Sequence, residues 1–272
     1  MSELVTIDVQ GGVADVRLNR PEKMNALSPE MFSAISAAGD ALSERRDVRV
    51  VVLSGNGKSF CAGLDFSGFQ GMAGGGDGAR QAPVGAGAES TPARPENRAQ
   101  RPAMVWKRLA VPVIAAVHGV AFGGGLQVAL GADIRIVAPD ARFSVMEIKW
   151  GLIPDMGLSQ TLVDIVRLDV AKELTFTGRI VGAEEAVQLG LVTRIAAEPL
   201  AAALALAREI ADKSPAAIRA AKQLLEHSWR AAPGTALALE ASLQGSLIGT
   251  PNQVEAVKSN FEKRAARYVD SA

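Results

Sequence analysis

Cysteine, histidine and tyrosine are nearly missing from this chain. Cys61 is the one cysteine in 272 residues, which excludes an internal disulfide framework and fits a reducing compartment. Two histidines, His118 and His227, leave little material for a transition-metal site. An excess of charge of one sign is missing too. Lys plus Arg number 29 and Asp plus Glu number 29, so neither nucleic acid nor an anionic membrane surface is the expected partner. The opening MSELVTIDVQ carries acids and alternates polar with apolar residues, unlike a signal peptide. What the chain has is apolar bulk. Hydrophobic residues make up 48% against 21% charged, enough for a sizeable core and incompatible with disorder as the overall state. The expected setting is cytoplasmic.

The uncharged stretch from Leu109 to Leu130 is long enough to span a bilayer. Pro112, Gly119 and the run Gly123-Gly124-Gly125 break it, however. The punctuation predicts a buried strand, a glycine turn and a buried helix. Around it, Val5–Val9 and Val13–Leu18 flank Gly11-Gly12 as a hairpin. Ser28-Pro29 opens a helix with Met31, Ile35, Ala38 and Leu42 on one stripe. Val48–Leu53, Val113–Val117 and Ile134–Val137 are continuous apolar runs, as strands covered on both faces require. Strands alternating with helices predict an α/β fold.

Residues 68 to about 100 are rich in glycine, alanine and proline and poor in large apolar side chains. The expectation is a mobile loop, serving either as a functional lid or as a disordered insertion. After Leu200 the chain turns helical and alanine-rich. Ser214-Pro215 opens a helix expected to bury Ile218, Ala221, Leu225 and Trp229. Thr250-Pro251 opens the last one, with Val254, Val257, Phe261, Ala265 and Tyr268 at helical spacing.

Two familiar motifs fail. Gly123-Gly124-Gly125 invites a dinucleotide reading, but the third glycine of that fingerprint falls on Val128. Asn56-Gly57-Lys58-Ser59 looks like the end of a P-loop, but the first glycine it requires falls on Val52. A nucleophilic pair would need Cys61 beside His118 or His227, and nothing in the sequence brings them together.

Three other segments carry chemistry when read in order. They are Phe60-Cys61-Ala62-Gly63-Leu64-Asp65; His118 through Gly123-Gly124-Gly125-Leu126-Gln127 to Ala132-Asp133-Ile134-Arg135; and Ala141 through Glu147, followed by Gly151-Leu152-Ile153-Pro154-Asp155-Met156-Gly157. In this order and spacing they resemble the crotonase family, also called the enoyl-CoA hydratase/isomerase family. The similarity runs from Asn19-Arg20-Pro21 to Gly190-Leu191-Val192. It implies a spiral of ββα turns in residues 1–200 and a C-terminal helical region, 201–272, that makes a homotrimer or dimer of trimers. It also implies an acyl-CoA thioester substrate with CoA as part of it, and neither metal nor redox cofactor.

By family position, Leu64 and Gly124 supply the two backbone N–H groups that hold the thioester carbonyl. Glycines let such donors approach closely, and a helix starting at Gly124 would favour the negative charge of an enolate. Ala62 and Phe66 match positions along the adenine edge. Lys58 matches a position near the CoA phosphates and Lys23 is expected to do similar work, with a plain solvated surface as the alternative for both. Lys263 and Arg264 resemble the helix end that reaches a neighbouring subunit's CoA. His118 reads better as a packed residue than as a base.

The departures from pattern are informative. Family hydratases carry two glutamates; here the second is Glu147, while the first position is Gln127. A glutamine can orient a water but cannot accept and return a proton. Glu147 alone suffices to move a proton between two carbons, so a double-bond shift is expected in preference to hydration. The alternatives are syn-hydration of a 2-enoyl-CoA with Gln127 positioning the water, and a CoA-thioester binding protein without turnover. Asp155, eight residues after Glu147, stands where dienoyl-CoA isomerases of the family have an aspartate, although those isomerases also carry an acid where Gln127 sits. It would serve the far end of a conjugated system, or else N-cap the helix near Gly157.

Overall fold

The computed structural model describes residues 3–65 and 95–270. Most of the glycine-rich 68–100 segment, together with Phe66, lies outside the described residues. Two sheets organise the chain. The larger has six strands in the order β1-β2-β3-β4-β6-β9: β1 Val5–Gln10, β2 Val13–Leu18, β3 Val50–Gly55, β4 Val113–Val117, β6 Ile134–Val137 and β9 Arg194–Ile195. Only the β1–β2 hairpin in it is antiparallel. The smaller sheet runs β5-β7-β8: β5 Val120–Phe122, β7 Arg142–Ser144 and β8 Val181–Gly182.

The chain lays one strand in each sheet in turn. β4 is followed by β5 and the helix Gly124–Leu130; then β6 is followed by β7 and the short helix Met146–Trp150. Parallel pairing of β4 with β6 and of β5 with β7 stacks one such turn on the next. An isolated parallel bridge of Cys61 to Ala121 adds the preceding turn to the stack. This is the spiral of ββα turns that the family resemblance implied. The Leu109–Leu130 stretch is spent on strand, turn, strand and helix, and no described helix is long and apolar enough to cross a membrane.

Side chains alternate across the larger sheet, so its two faces bury separate cores. Val51, Leu53, Val113, Ala115 and Val117 face the main core with Leu18, Leu27, Ile35 and Trp106. Val50, Val52, Ile114, Ala116 and Ile136 face the other side, covered by Ala203, Ala207 and Ala211 of the helix Pro199–Ala211. Small residues at four-residue spacing let that helix lie close on the sheet.

The helices Pro215–Ser228, Pro233–Leu247 and Pro251–Glu262 follow. Ser214 Oγ and Thr250 Oγ1 cap the first and third, accepting from the N–H groups of Ala217 and Gln253. Buried Lys222 fastens the first to the core by donating to Val111 O at 3.0 Å and Asp133 Oδ2 at 2.8 Å. Two expectations fail here. Ala221, Leu225 and Trp229 do not lie on a buried side; all three are exposed, the last two at 58% and 71%. The last helix also stops short of Ala265 and Tyr268, because Lys263 turns into the left-handed region at φ +52°. The tail folds back, and Val269 exchanges two hydrogen bonds with the Asn252 side chain.

Candidate active site

Adjacent strands deliver the two halves of the site to one place. The parallel pairing of β5 with β7 sets Phe122 opposite Ser144, and the Gly123 N–H donates to Ser144 O at 2.9 Å. The glycine run leaving β5 and the segment leaving β7 toward Glu147 therefore start side by side. Gly123 takes φ +51°, and a Cβ there would stand 3.4 Å from Glu147 Oε1. The absence of a side chain brings the carboxylate against the start of the helix Gly124–Leu130.

The third half-turn comes from residues 61–65. Leu27 and Leu64 form a parallel bridge, through Leu27 N–H to Gly63 O and Asp65 N–H to Leu27 O. That pairing turns the Leu64 N–H to the opposite side, since alternate peptide groups of a strand point opposite ways. Gly63 sits at φ +93°, and a Cβ built there would lie 2.6 Å from Phe122 O and 3.8 Å from Gly124 N. So the Leu64 and Gly124 segments touch through Gly63. Among the described residues neither of these two N–H groups has a backbone acceptor. Buried Asn25 holds the approach in place: its Nδ2 group points at Asn56 O, Ser59 O and Phe60 O, and its Oδ1 accepts from Arg20 N.

A pocket of about 320 Å³ opens beside these groups. Leu64, Gly124, Glu147 and Asp155 all line it, as does Ala62; Phe32, Met146, Trp150, Ile153 and Met156 give it an apolar wall. Gln127 stands behind the lining, 1% exposed. Its Nε2 donates to Glu147 Oε1 at 2.6 Å, and its Oε1 accepts from the Met156 N–H at 2.8 Å. The orientation of the amide follows from its partners: a peptide N–H needs the oxygen, and an ionised carboxylate needs the nitrogen. The other carboxylate oxygen, Glu147 Oε2, is buried with no hydrogen-bond partner among the described residues.

Burial raises the Glu147 carboxyl above the usual range; the bond from Gln127 pulls it back and the nearby Asp155 charge pushes it up. Partial burial also raises Asp155, although solvent reaches it at the open side. Two carboxyls of raised pKa beside paired N–H donors can take up and return protons while charge grows on a carbonyl oxygen.

Other residues singled out from sequence lie elsewhere. Lys23 and Lys58 are not in the pocket wall. Arg264 pairs with Glu255 and Glu262 of the helix that precedes it. Asp155 does not cap the next helix: Gly157 occupies the cap before Leu158–Thr161, with no side-chain bond. Cys61 is fully buried, burial pushes its thiol up to about 12, and its Sγ meets Asn25 O. His118 Nε2 pairs with Gly57 O and His227 Nδ1 with Gln223 O, so neither activates the thiol. Trp106 belongs to the core, and Trp150 to the pocket. Met156 was missed from the sequence. Its contribution is a peptide N–H, which no side-chain pattern announces.

The sequence model of the enoyl-CoA hydratase/isomerase family matches residues 8–271. The chain is 33% identical over 266 residues to the short-chain-enoyl-CoA hydratase of Clostridium acetobutylicum, covering 96% of this chain and 95% of that one. It is 36% identical over 268 residues to the mitochondrial Delta(3,5)-Delta(2,4)-dienoyl-CoA isomerase of Homo sapiens, covering 96% and 79%. The solved enoyl-CoA hydratase of Bacillus anthracis superposes with a TM-score of 0.86 at 29% identity, over 98% of this chain and 100% of that one.

Proposed function

The chain belongs to the enoyl-CoA hydratase/isomerase family, and from that premise we propose that it shifts double bonds in preference to adding water across them. Membership makes it an acyl-CoA enzyme of the hydratase/isomerase type. The preference rests on one observation: the amide of Gln127 is committed on both sides. Its oxygen serves Met156 N–H and its nitrogen serves Glu147, and the side chain lies buried behind the pocket lining, so it offers an incoming water no base.

Glu147 Oε2 takes a proton from the carbon next to the thioester, and the electron pair moves onto the carbonyl oxygen. The Leu64 and Gly124 N–H groups hold that oxyanion, Gly124 standing at the first position of its helix. A proton returned at the far end of the conjugated system completes the shift. For a simple enoyl group Glu147 does both transfers. For a dienoyl group Asp155, entering in its protonated form, gives its proton to the far carbon, and exchange with solvent at its open side restores both carboxyls. Written this way, the reaction calls on no group beyond the CoA that the substrate carries. Ala62 supports the adenine edge, and Lys23 and Lys58 offer charge for phosphates outside the pocket wall.

The test compares 2-enoyl-, 3-enoyl- and 3,5-dienoyl-CoA on the wild type and on Asp155→Asn. The variant is expected to lose about a hundredfold or more on the dienoyl substrate. Its 3-enoyl rate should stay within about threefold. Equal loss on both substrates would deny Asp155 a far-end role.

The bare apolar faces support a trimer or a dimer of trimers. Trp229 and Phe261 are 71% and 85% exposed in the single chain, as are Leu237 and Ile248 at 64% and 66%. Side chains of this size left in water in such number need a partner surface. Light scattering should give a mass of three or six chains, and Phe261→Glu should lower it; a wild-type monomer would refute the assembly. The buried, unreactive Cys61 fits a cytoplasmic setting.

A further inference from the structure

Gln127 touches both halves of the acid–base machinery. It lies on the buried helix Gly124–Leu130, with one end of its amide on the Glu147 carboxylate at 2.6 Å and the other on the Met156 peptide at 2.8 Å. The Met156 N–H belongs to the peptide whose carbonyl is that of Asp155. A single planar amide thus spans from one carboxylate to the backbone that carries the other. Its own side chain is fixed: Gln127 is buried, and its backbone N–H donates to Gly123 O at 3.1 Å inside the glycine turn.

We propose that Gln127 is a positioning strut that sets the separation of Glu147 from Asp155 and so selects for conjugated dienoyl substrates. The proposal rests on the acid–base roles given above to those two residues. A migration across a diene requires proton exchange at two carbons a fixed distance apart, one next to the thioester and one at the far carbon of the second double bond. Two carboxylates that moved independently would meet that distance only part of the time. Misplacement of about 1 Å in such a pair costs on the order of a hundredfold. With one amide bonded to the Glu147 carboxylate and to the peptide that joins Asp155 to Met156, the two share a single reference point. A one-carboxylate migration on a 3-enoyl group has no such requirement. The strut also keeps a hydrogen-bond donor on Glu147, which favours its ionised form.

The test uses Gln127→Met and Gln127→Glu in the intact protein, with 3,5-dienoyl- and 3-enoyl-CoA across a pH series. Methionine has the same reach and can make neither bond. Gln127→Met is expected to lower kcat on the dienoyl substrate by about ten- to a hundredfold, with KM changing by less than about threefold. Its 3-enoyl rate should fall less. Its acidic limb should move to higher pH, because the donor on Glu147 is gone.

Glutamate keeps an acceptor for Met156 N–H but sets a second carboxylate against Glu147. Gln127→Glu should therefore hold the dienoyl-to-enoyl preference better than Gln127→Met, while its acidic limb moves further up. If the methionine variant fails to fold, the glutamate variant carries the same two readouts. An unchanged limb and an unchanged substrate ratio, whatever the loss of stability, would overturn the strut. Wild-type rates in Glu147→Gln would instead overturn the acid–base reading on which it rests.

Discussion

Glu147→Gln is expected to lower kcat for double-bond migration by about 10²–10⁴-fold and to leave KM for the acyl-CoA nearly unchanged. The substitution keeps the size of the side chain, and its amide oxygen can still accept from Gln127 Nε2, so the wall of the pocket keeps its shape. What disappears is the one oxygen, Oε2, that is buried beside the donors with no partner among the described residues. A neutral amide takes no proton from a carbon acid. The pH dependence follows from the same group. Glu147 works only when ionised, and burial raises its carboxyl. Wild-type kcat/KM should therefore fall as pH drops through a limb above the ordinary carboxylate range, and the residual rate of the variant should lack that limb. Steady-state kinetics from pH 4 to 8 checks both; retention of the limb in Glu147→Gln would assign the base elsewhere.

Gly63→Ala is expected to cost about 10²–10³ in kcat, the loss typical of a misplaced oxyanion donor. Two independent features make the site intolerant. The residue stands at φ +93°, which an L side chain rarely adopts, and its Cβ would come within 2.6 Å of a backbone oxygen, Phe122 O. Backbone cannot swing aside as a flexible side-chain tip does. Either the 62–64 segment or the turn at Phe122–Gly124 moves, and the Leu64 and Gly124 N–H groups separate. Gly234→Ala is the matched control, since a Cβ there meets nothing within 4 Å. It should leave kcat unchanged. A Gly63→Ala enzyme with wild-type kcat would mean that these two N–H groups do not hold the reacting oxygen.

The contrast between these positions shows what the sequence could reveal. Val48–Leu53, Val113–Val117 and Ile134–Val137 read as doubly covered strands, and β3, β4 and β6 are buried along nearly their whole length. Burial on both faces leaves no polar alternation, and that signal is local. Ser28, Ser214 and Thr250 were legible as caps for the same reason: each bonds an N–H three residues on. The Gly123-Gly124-Gly125 run and Glu147 were legible only through the family resemblance, and the pairing of β5 with β7 supplies the physical cause of their meeting.

What stayed hidden depends on partners far along the chain. Met156 reaches Gln127 through its backbone, so its residue type carries no mark of the contact. Trp150, Met146 and Ile153 wall the pocket because residues 146–156 curl over it, which no periodicity encodes. Leu225 and Trp229 sit on an apolar stripe, as expected, but the stripe faces outward from the single chain. Amphipathic spacing says that a face needs covering; it does not say which surface covers it. The end of the last helix was missed at Lys263, where no glycine marks the left-handed turn.

The most direct test of the account is product analysis of 3-enoyl-CoA turned over by the wild-type enzyme, followed by mass spectrometry and ultraviolet absorbance until the reaction stops changing. A single working carboxylate with a committed glutamine behind it predicts 2-enoyl-CoA as the product, with 3-hydroxyacyl-CoA forming at least about a hundredfold more slowly. Appearance of 3-hydroxyacyl-CoA as fast as the 2-enoyl intermediate would contradict it, because water would then be activated with Gln127 standing where the hydratases have their first glutamate.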